Sequence, residues 1–324
     1  MYAVGVDVGG THIAVGLMER DGRVLKHSEI LTPKDGAASI LDAIINLIAE
    51  TTSGVESAEI AGIGIGLPAQ VDFGRQSVVF CTNLPLADVE VRALVSAGAG
   101  LEVTIDNDGH CAGIGELRFG AAKGMRDVVM ITLGTGVGGA LLPDGAPFRG
   151  ARGLAGEVGH MIVSVGGAPC PCGANGHLEA YVGSRALGAQ GQKVARSERG
   201  AAIRARAGGD PDAVTAEHVV KAAAAGDPAA SDILLEAGGI LGEALVGIVN
   251  MLNPRLIVVG GGIGEHADML VARATEIIAE KSLEGRADVE VVQALLSNDA
   301  GVLGAAALAF DEYDRREGRS RERG

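Results

Sequence analysis

The chain has 324 residues, and 27 basic against 41 acidic side chains give it a net charge of −14. This charge argues against duplex DNA or an anionic membrane surface as a partner, because affinity for both comes mainly from Lys and Arg. The hydrophobic fraction of 47% excludes general disorder. The chain contains 51 glycines, which favour anion binding by converging backbone N–H groups rather than by a basic surface.

The first ten residues, MYAVGVDVGG, contain neither the basic nor the apolar region of a secretory signal. No apolar run reaches the roughly 18 residues that a membrane helix needs. We therefore expect a cytoplasmic protein without a membrane partner. In that compartment Cys170 and Cys172, which a single proline separates, favour metal ligation over a disulfide.

Short apolar runs alternate with segments of helical period along the chain. The runs predict strands at residues 2–6, 13–18, 24–31, 60–65, 103–105, 128–133, 256–259 and 289–292. Apolar residues at 40, 41, 44, 45, 47 and 48 predict an amphipathic helix. Residues 196–233 are typical of helices joined by polar turns, and the charged run after Phe310 is typical of a solvated segment. The alternation predicts an α/β fold with two sheets.

Two segments, residues 2–22 and 128–145, follow one plan of apolar strand, Gly/Thr turn, apolar strand and Asp-Gly turn. A hairpin that recurs near the start of each half of the chain indicates a duplicated domain, with two equivalent turns that face one cleft. Two unrelated hairpins are the alternative.

Three glycine-rich turns each follow a predicted strand: DVGGTH at 7–12, TLGTGVGG at 132–139 and VVGGGIGE at 258–265. Backbone N–H groups in such turns can hold phosphates, and threonine hydroxyls add donors. The candidate nucleotide-binding residues are Gly9, Gly10, Thr11, Gly134, Thr135, Gly136, Gly260, Gly261 and Gly262. Asp7 either holds Mg²⁺ near those phosphates or only caps the first turn. The glycine spacing satisfies neither the Walker A nor the Rossmann pattern, which excludes both classes of site.

An acidic cluster, Asp106-Asn107-Asp108, ends the strand predicted at 103–105. Chemistry in α/β proteins is usually placed at the carboxyl ends of strands. The alternative is that Asn107 and Asp108 only cap the following helix.

Two further motifs, GEVGH at 156–160 and CPCGANGHLE at 170–179, complete a specific pattern. Together with DVGGTH and TLGTGVGG they resemble the ROK family of bacterial sugar kinases and sugar-responsive repressors, within the actin-like ATPase superfamily. The resemblance extends from residue 3 to about residue 310. It implies an α/β fold of two actin-like (ribonuclease H-like) domains around a central cleft that binds ATP and a sugar.

The resemblance also implies the domain boundaries. The N-terminal domain is expected to comprise residues 1–118 and a closing helix at about 301–316. The C-terminal domain is expected to comprise residues 119–300 and to carry the zinc segment. Residues 317–324 are expected to form a frayed tail.

The resemblance assigns roles to residues of the site. Asp108 is expected to be the catalytic base, which orients the attacking hydroxyl and accepts its proton. The expected sugar ligands are Asn107, Asp108, Glu157, His160 and Glu179. ATP with Mg²⁺ is expected on the three glycine turns.

The family has a structural zinc site made of one His and three Cys, and the matching positions here are His160, Cys170, Cys172 and His177. Imidazole stands in place of a thiolate at position 177, and a Cys₂His₂ set still makes a closed tetrahedral Zn²⁺ site. We expect the Zn²⁺ to be structural. The alternative is that His177 is only a packed side chain and that zinc is absent.

The implied activity is phosphorylation of a hexose at its 6-hydroxyl by ATP, with glucose as the first candidate, by a homodimer or homotetramer. Kinases for N-acetylmannosamine, another N-acetylhexosamine or fructose are the alternatives within the family. A sugar-responsive repressor is not expected, because DVGGTH leaves no space for a preceding helix-turn-helix and the chain is acidic. Ala69, Gly109 and His110 depart from the family's GLPG and NDANA patterns, and either reshape the sugar pocket or only support it.

Overall fold

The computed structural model describes residues 1–74, 76–81, 83–264, 268–283 and 288–318. The chain divides into two compact α/β units. The first unit contains residues 1–124, 140–156 and the chain from Asn298 onward, and the second contains residues 125–139 and 157–297. All eight strands predicted from apolar runs are confirmed, with ends that differ by at most two residues.

This division differs from the expected boundary at residue 119. Residues 140–156 belong to the first unit, because Arg149 pairs with Asp106 and the carbonyl of Ala155 contacts His110. No local pattern in the sequence indicates that residues 140–156 return to the first unit. Residues 319–324 of the expected frayed tail lie outside the described residues.

Five strands form a mixed sheet in the first unit: β1 (Tyr2–Val8), β2 (His12–Glu19), β3 (Val24–Leu31), β4 (Ile60–Leu67) and β7 (Val103–Asn107). Their order across the sheet is β3-β2-β1-β4-β7. β1 and β2 form the predicted hairpin, whereas β4 and β7 continue the sheet parallel to β1. Every residue of β4 is buried, so both of its faces are covered. A small antiparallel pair, β5 (Gln70–Asp72) and β6 (Ser77–Phe80), follows β4.

The helices of the first unit are α1 (Ala37–Thr51), α2 (Val91–Ala99), α3 (Asp108–Phe119) and α11 (Ala300–Arg316). The amphipathic helix predicted at 40–48 is α1, whose Ile40, Ile44 and Ile48 are buried. α11 packs against α3 and against β1 and β4. These contacts make α11, from the end of the chain, part of the core of the first unit.

Glycine allows α11 to approach the sheet backbone to backbone. A Cβ atom at Gly5 would lie 1.9 Å from the carbonyl oxygen of Val302, and one at Gly64 would lie 1.8 Å from that of Ala305. No side chain fits at such distances. These glycines are therefore required by packing, and no local pattern in the sequence indicates this requirement.

The charged segment that follows Phe310 is helical as far as Arg316, although the sequence suggests a solvated run. Asp314 pairs with Arg20 at 2.7 Å, and the Arg20 guanidinium lies 4.5 Å from the centre of the Phe310 ring. Asp311 pairs with Arg118 of α3. These long-range contacts hold the last turns of α11 on the first unit.

Four strands form the second sheet: β8 (Val128–Leu133), β9 (Val137–Leu142), β10 (Leu256–Gly260) and β11 (Glu290–Gln293). They belong to the second unit except for the last three residues of β9, which belong to the first. Their order is β11-β10-β8-β9, and β10 runs parallel to both β8 and β11. The order β9-β8-β10-β11 repeats β2-β1-β4-β7 of the first unit. The two hairpins thus occupy equivalent places in their sheets, which supports the predicted duplication.

The helices of the second unit are α4 (Glu179–Val182), α5 (Ser184–Ala195), α6 (Ala201–Arg206), α7 (Ala216–Ala224), α8 (Pro228–Leu252), α9 (Gly261–Gly264) and α10 (Asp268–Lys281). The helices predicted within 196–233 are confirmed. Across the described part of the chain, no helix combines the length and the apolar character needed to cross a membrane.

Replacement of Gly64 by Ala is expected to lower the free energy of unfolding by about 3 kcal/mol, because the new Cβ overlaps the Ala305 carbonyl and displaces α11. Urea denaturation measures this loss. Gly239→Ala in α8 is the control: no atom lies within 4 Å of its added Cβ, and better helix propensity should add up to about 1 kcal/mol. Equal stability of the two variants would contradict the packing role of Gly64.

Candidate functional site

Three neighbouring strands of the first unit end at the same edge of the sheet. Asp7 of β1 lies beside Gly66 of β4, and Gly66 lies beside Asp106 of β7 in the parallel register. Asn107 ends β7 and Asp108 begins α3. A Cβ at Gly66 would lie 3.5 Å from the Cα of Asp108, so α3 begins close to β4. The register therefore brings Asp7 and Asp108, both predicted from the sequence, to one place.

The side chain of Asn107 is held at both ends. Its oxygen accepts a hydrogen bond from the N–H of His110 at 3.2 Å, and its amide donates to the carbonyl of Ala69 at 3.1 Å. Asn107 is thus the N-cap of α3. Asp108 Oδ1 accepts from the N–H of Gly109 at 2.8 Å. These contacts fix the orientation of the Asn107 amide and the Asp108 carboxylate.

The pKa of the Asp7 carboxyl is raised from its ordinary value of 3.8 to about 7. Burial is the main cause, and the negative charge of Asp108 adds to it. α11 contributes to the burial, because a Cβ at Gly301 would lie only 2.5 Å from Asp7 Oδ2. Two neighbouring carboxyls that disfavour each other's ionisation suit a divalent cation, which favours the ionised form of both.

The first glycine turn is fastened through its carbonyl groups. Thr32 Oγ1 donates to the carbonyl of Gly9 at 2.7 Å, and Lys34 Nζ donates to that of Gly10 at 2.6 Å. Gly10 and Thr11 are exposed to solvent. The turn is therefore anchored on one side and accessible on the other.

In the second unit, the carboxylate of Glu179 fixes the turn between β8 and β9. Glu179 Oε2 accepts from the N–H of Val137 at 3.0 Å, and a Cβ at Gly136 would lie 2.1 Å from the same oxygen. Gly134 donates to the carbonyl of Gly136 and accepts from the N–H of Ser184, both at 3.0 Å. The family resemblance predicts Glu179 as a sugar ligand, whereas no local motif predicts its contact with the glycine turn.

The third glycine turn lies beside the second at one end of the sheet. Gly260 is the register partner of Thr132 in the parallel pair of β10 and β8. Gly261 has a φ of 82°, and a Cβ there would lie 2.7 Å from the carbonyl oxygen of Leu133. Only glycine satisfies both conditions. Glu265, the last residue of the predicted turn segment, lies outside the described residues.

His160, Cys170, Cys172 and His177 form a candidate metal site, in which the ligand atoms all lie within 4.8 Å of one another. His177 Nδ1 is 3.2 Å from Cys172 Sγ and 3.2 Å from His160 Nδ1, and His160 Nδ1 is 3.9 Å from Cys170 Sγ. Tetrahedral zinc with ordinary bond lengths separates its ligand atoms by about 3.3–3.8 Å, so the set fits that ion. Burial is the main reason why the pKa of the Cys170 thiol is raised to about 11. A metal ion binds the thiolate form of Cys170, so its binding must displace the thiol proton.

His160 uses its two ring nitrogens in different directions. Nδ1 faces the candidate metal site, whereas Nε2 lies 3.9 Å from Glu157 Oε2. The Gly159 between them has no space for a side chain, because a Cβ there would lie 2.0 Å from the Val137 carbonyl. The two roles expected of His160, metal ligand and sugar ligand, are thus compatible within one ring.

Next to the acidic edge, Asp106 contacts Arg149 and His110, and the sequence predicts this cluster only in part. Asp106 is fully buried, and its Oδ2 accepts from Arg149 Nε at 3.0 Å and Nη2 at 2.7 Å. His110, also buried, lies 2.9 Å from Asp106 Oδ1. The departure of His110 from the NDANA pattern is the only signal in the sequence, since Arg149 is distant along the chain.

Comparison with known proteins decides the family. Residues 3–312 match the ROK family. The chain belongs to the ROK family. It is 34% identical over 311 residues to a glucokinase from Streptomyces coelicolor, and the match covers 94% of this chain and 96% of that relative.

Solved structures of ROK proteins share the fold. A ROK family glucokinase from Streptomyces griseus, in complex with glucose and AMPPNP, matches with a TM-score of 0.87 and 33% identity, over 96% of this chain and 99% of that one. A ROK hexokinase from Thermus thermophilus matches with a TM-score of 0.79 and 30% identity, over 97% and 100% of the two chains. The α/β fold expected from the family resemblance is therefore confirmed.

The stability of the metal-free and nucleotide-free protein is expected to depend on Asp7 between pH 4 and pH 7. In this range the folded protein retains a proton that the unfolded chain has lost, so a rise in pH lowers the free energy of unfolding. The Asp7→Asn variant has no carboxyl to ionise at this position, so this decrease in the free energy of unfolding is absent. Its melting temperature should exceed that of the wild type by a margin that grows up to about pH 7 and is then constant.

Thermal unfolding at a series of pH values measures this margin. Asp42→Asn, at an exposed position of α1, is the control for loss of one carboxylate and should follow the wild type. A margin that does not change with pH would contradict the raised pKa of Asp7.

Proposed function

We propose that this ROK protein transfers the γ-phosphoryl group of ATP to the 6-hydroxyl of a hexose, with glucose as the preferred sugar. One observation carries the proposal. The chain matches glucokinases over nearly its whole length, and it keeps Asn107 and Asp108 beside Asp7 at the carboxyl edge of the sheet.

Asp108 is the proposed general base. Its Oδ1 is held by the N–H of Gly109, so the carboxylate can orient the sugar hydroxyl and accept its proton as the new O–P bond forms. Asn107, Glu157, His160 and Glu179 are the proposed hydrogen-bonding partners of the other sugar hydroxyls. The half-buried Glu157 and His160 suit this task, because both offer polar atoms that remain accessible.

The proposed ATP site consists of the three glycine turns. Their backbone N–H groups need no net positive charge to hold phosphates, which suits a chain of charge −14. The residues proposed to contact ATP are Gly9, Gly10, Thr11, Gly134, Thr135, Gly136, Gly260, Gly261 and Gly262. Mg²⁺, when bound with ATP, would neutralise part of the phosphate charge, and Asp7 is the residue proposed to hold the Mg²⁺.

Zn²⁺ is the proposed occupant of the candidate metal site, with a structural role. The ligand atoms suit tetrahedral coordination, and two thiolates with two imidazoles are ordinary zinc ligands. The site lies in a short loop that is closed by hydrogen bonds such as Cys170 N–H to Ala174 O at 2.8 Å. Bound zinc would fix Nδ1 of His160 and so direct Nε2 toward the sugar.

A homodimer or homotetramer in the cytoplasm, as expected from the sequence and the family resemblance, completes the proposal. Size-exclusion chromatography with light scattering measures the oligomeric state. A monomer would contradict this part of the proposal alone.

The activity is tested by ADP release in a coupled assay with glucose, mannose, fructose, N-acetylglucosamine and N-acetylmannosamine. We expect the highest kcat/KM with glucose. A higher value with fructose or an N-acetylhexosamine would replace glucose as the substrate, and no turnover with any of the five would overturn the kinase function. Sugar-dependent retardation of DNA would instead support the repressor class.

Asp108→Asn is expected to lower kcat by roughly 10²–10⁴-fold, because the amide cannot accept the hydroxyl proton. The affinity for a non-hydrolysable ATP analogue should stay the same in calorimetry, since Asp108 does not belong to the glycine turns. Asp21→Asn, in the turn after β2, is the control and should keep full activity. Near-normal turnover by the Asp108 variant would exclude Asp108 as the base.

Elemental analysis of the purified protein is expected to find about one zinc per chain. His177→Ala should lose most of the metal, and His177→Cys should retain it, because the latter restores the one-His, three-Cys set. A chelator should weaken glucose binding by the wild type, as measured by isothermal titration calorimetry, and added zinc should restore the binding. A wild-type protein with well under one zinc per chain would contradict the zinc assignment.

A further inference from the structure

His110 lies in the first turn of α3 with both ring nitrogens engaged. Nδ1 is 2.9 Å from Asp106 Oδ1, and Nε2 is 2.9 Å from the carbonyl oxygen of Ala155. The ring is only 1% exposed, so water has almost no access to its nitrogens as an alternative hydrogen-bond partner. A backbone carbonyl can only accept a hydrogen bond, which requires a proton on Nε2.

The partner of Nδ1 is an acceptor too. Burial alone raises the pKa of Asp106, but the hydrogen bond from His110 and the positive charge of Arg149 outweigh it, and the pKa is lowered. The backbone N–H of Asn107 also donates to Asp106 Oδ1, at 2.9 Å. An ionised carboxylate accepts only, so Nδ1 of His110 must donate as well.

The group joins two segments that the proposed function uses. On one side Asp106 directly precedes Asn107 and Asp108. On the other side Ala155 closes the loop of residues 149–156, in which the Ala155 N–H donates to the Arg149 carbonyl at 3.1 Å. The next residue along the chain is Glu157, a proposed sugar ligand.

The loop of residues 149–156 has further anchors on the same unit. The Arg149 guanidinium lies 3.8 Å from the centre of the Phe73 ring. A Cβ at Gly153 would lie 2.5 Å from the backbone nitrogen of Phe73 and 2.7 Å from the carbonyl of Val71. The loop is therefore a packed element, and His110 is the side chain that ties its last residues to α3.

We propose that His110 is a positioning residue of the sugar site, a doubly protonated imidazole that ties the loop before Glu157 to the strand end before Asn107 and Asp108. This inference rests on the proposed function for its effect on the sugar, but not for its geometry. An Asn at this position, as in the family's NDANA pattern, is shorter, and its single amide nitrogen cannot span the two acceptors that the two ring nitrogens of His110 reach.

The kinetic test compares His110→Gln and His110→Asn with the wild type. We expect the KM and Kd for glucose to rise by roughly tenfold, because a buried hydrogen bond to a charged partner is lost, while the Kd for a non-hydrolysable ATP analogue stays within twofold. Leu47→Ala, in the buried face of α1, is the control for lost stability and should alter neither constant well below its melting temperature. An unchanged glucose Kd in both His110 variants would overturn the proposal.

Two measurements test the geometry without any activity. Nuclear magnetic resonance of ¹⁵N-histidine-labelled protein should show both His110 nitrogens protonated, with the resonances assigned by their loss in His110→Gln. Amide hydrogen exchange of residues 149–156 should accelerate in His110→Gln and not in Leu47→Ala. An unprotonated ring nitrogen or unaltered exchange overturns the proposal. If the wild type phosphorylates none of the sugars, the proposed function fails, and these two measurements alone decide the role of His110.

Discussion

Close contact between helix α11 and the sheet of the first unit is the constraint on which the site depends. The helix reaches the sheet because Gly5 and Gly64 have no side chains, and every larger residue would displace it. Gly301 in its first turn lies against Asp7 and contributes to the burial of that carboxyl, and burial is the main cause of its raised pKa. A segment from the end of the chain thus sets the electrostatics of a residue in the first strand. Packing and chemistry cannot be altered separately at this place.

The sequence predicts the strands, the two hairpins and the acidic edge, because each of these depends on local periodicity or on a short motif. Asp7 and Asp108 were predicted as separate features, and only the parallel register of β1, β4 and β7 brings them together. Contacts across long separations could not be predicted in the same way. Neither the ion pair of Arg149 with Asp106 nor the bond of Glu179 to Val137 has a local pattern. The same reason explains why packing glycines such as Gly64 had no account in the sequence: the atom that excludes a side chain is the Ala305 carbonyl, far away along the chain.

Within the second unit, two side chains connect the candidate metal site to other parts of the site. His160 turns Nδ1 to the metal cluster and Nε2 toward Glu157. Glu179 lies 3.8 Å from Cys170 Sγ through Oε1 and accepts from Val137 of the glycine turn through Oε2. Each side chain therefore has one atom at the cluster and one elsewhere. An ion that fixes the cluster would restrict both groups at once, and a structural metal would thereby influence the proposed sugar and nucleotide contacts without a part in the chemistry.

The distribution of charge shows how an acidic chain can hold an anionic substrate. The net charge of −14 lies mainly on solvated side chains, whereas the glycine turns offer neutral backbone donors. Beside the acidic edge, the fully buried Asp106 pairs with Arg149, whose side chain is 20% exposed, and lies 2.9 Å from the buried His110. The proposed binding of ATP therefore depends on the local arrangement of charges and not on their sum.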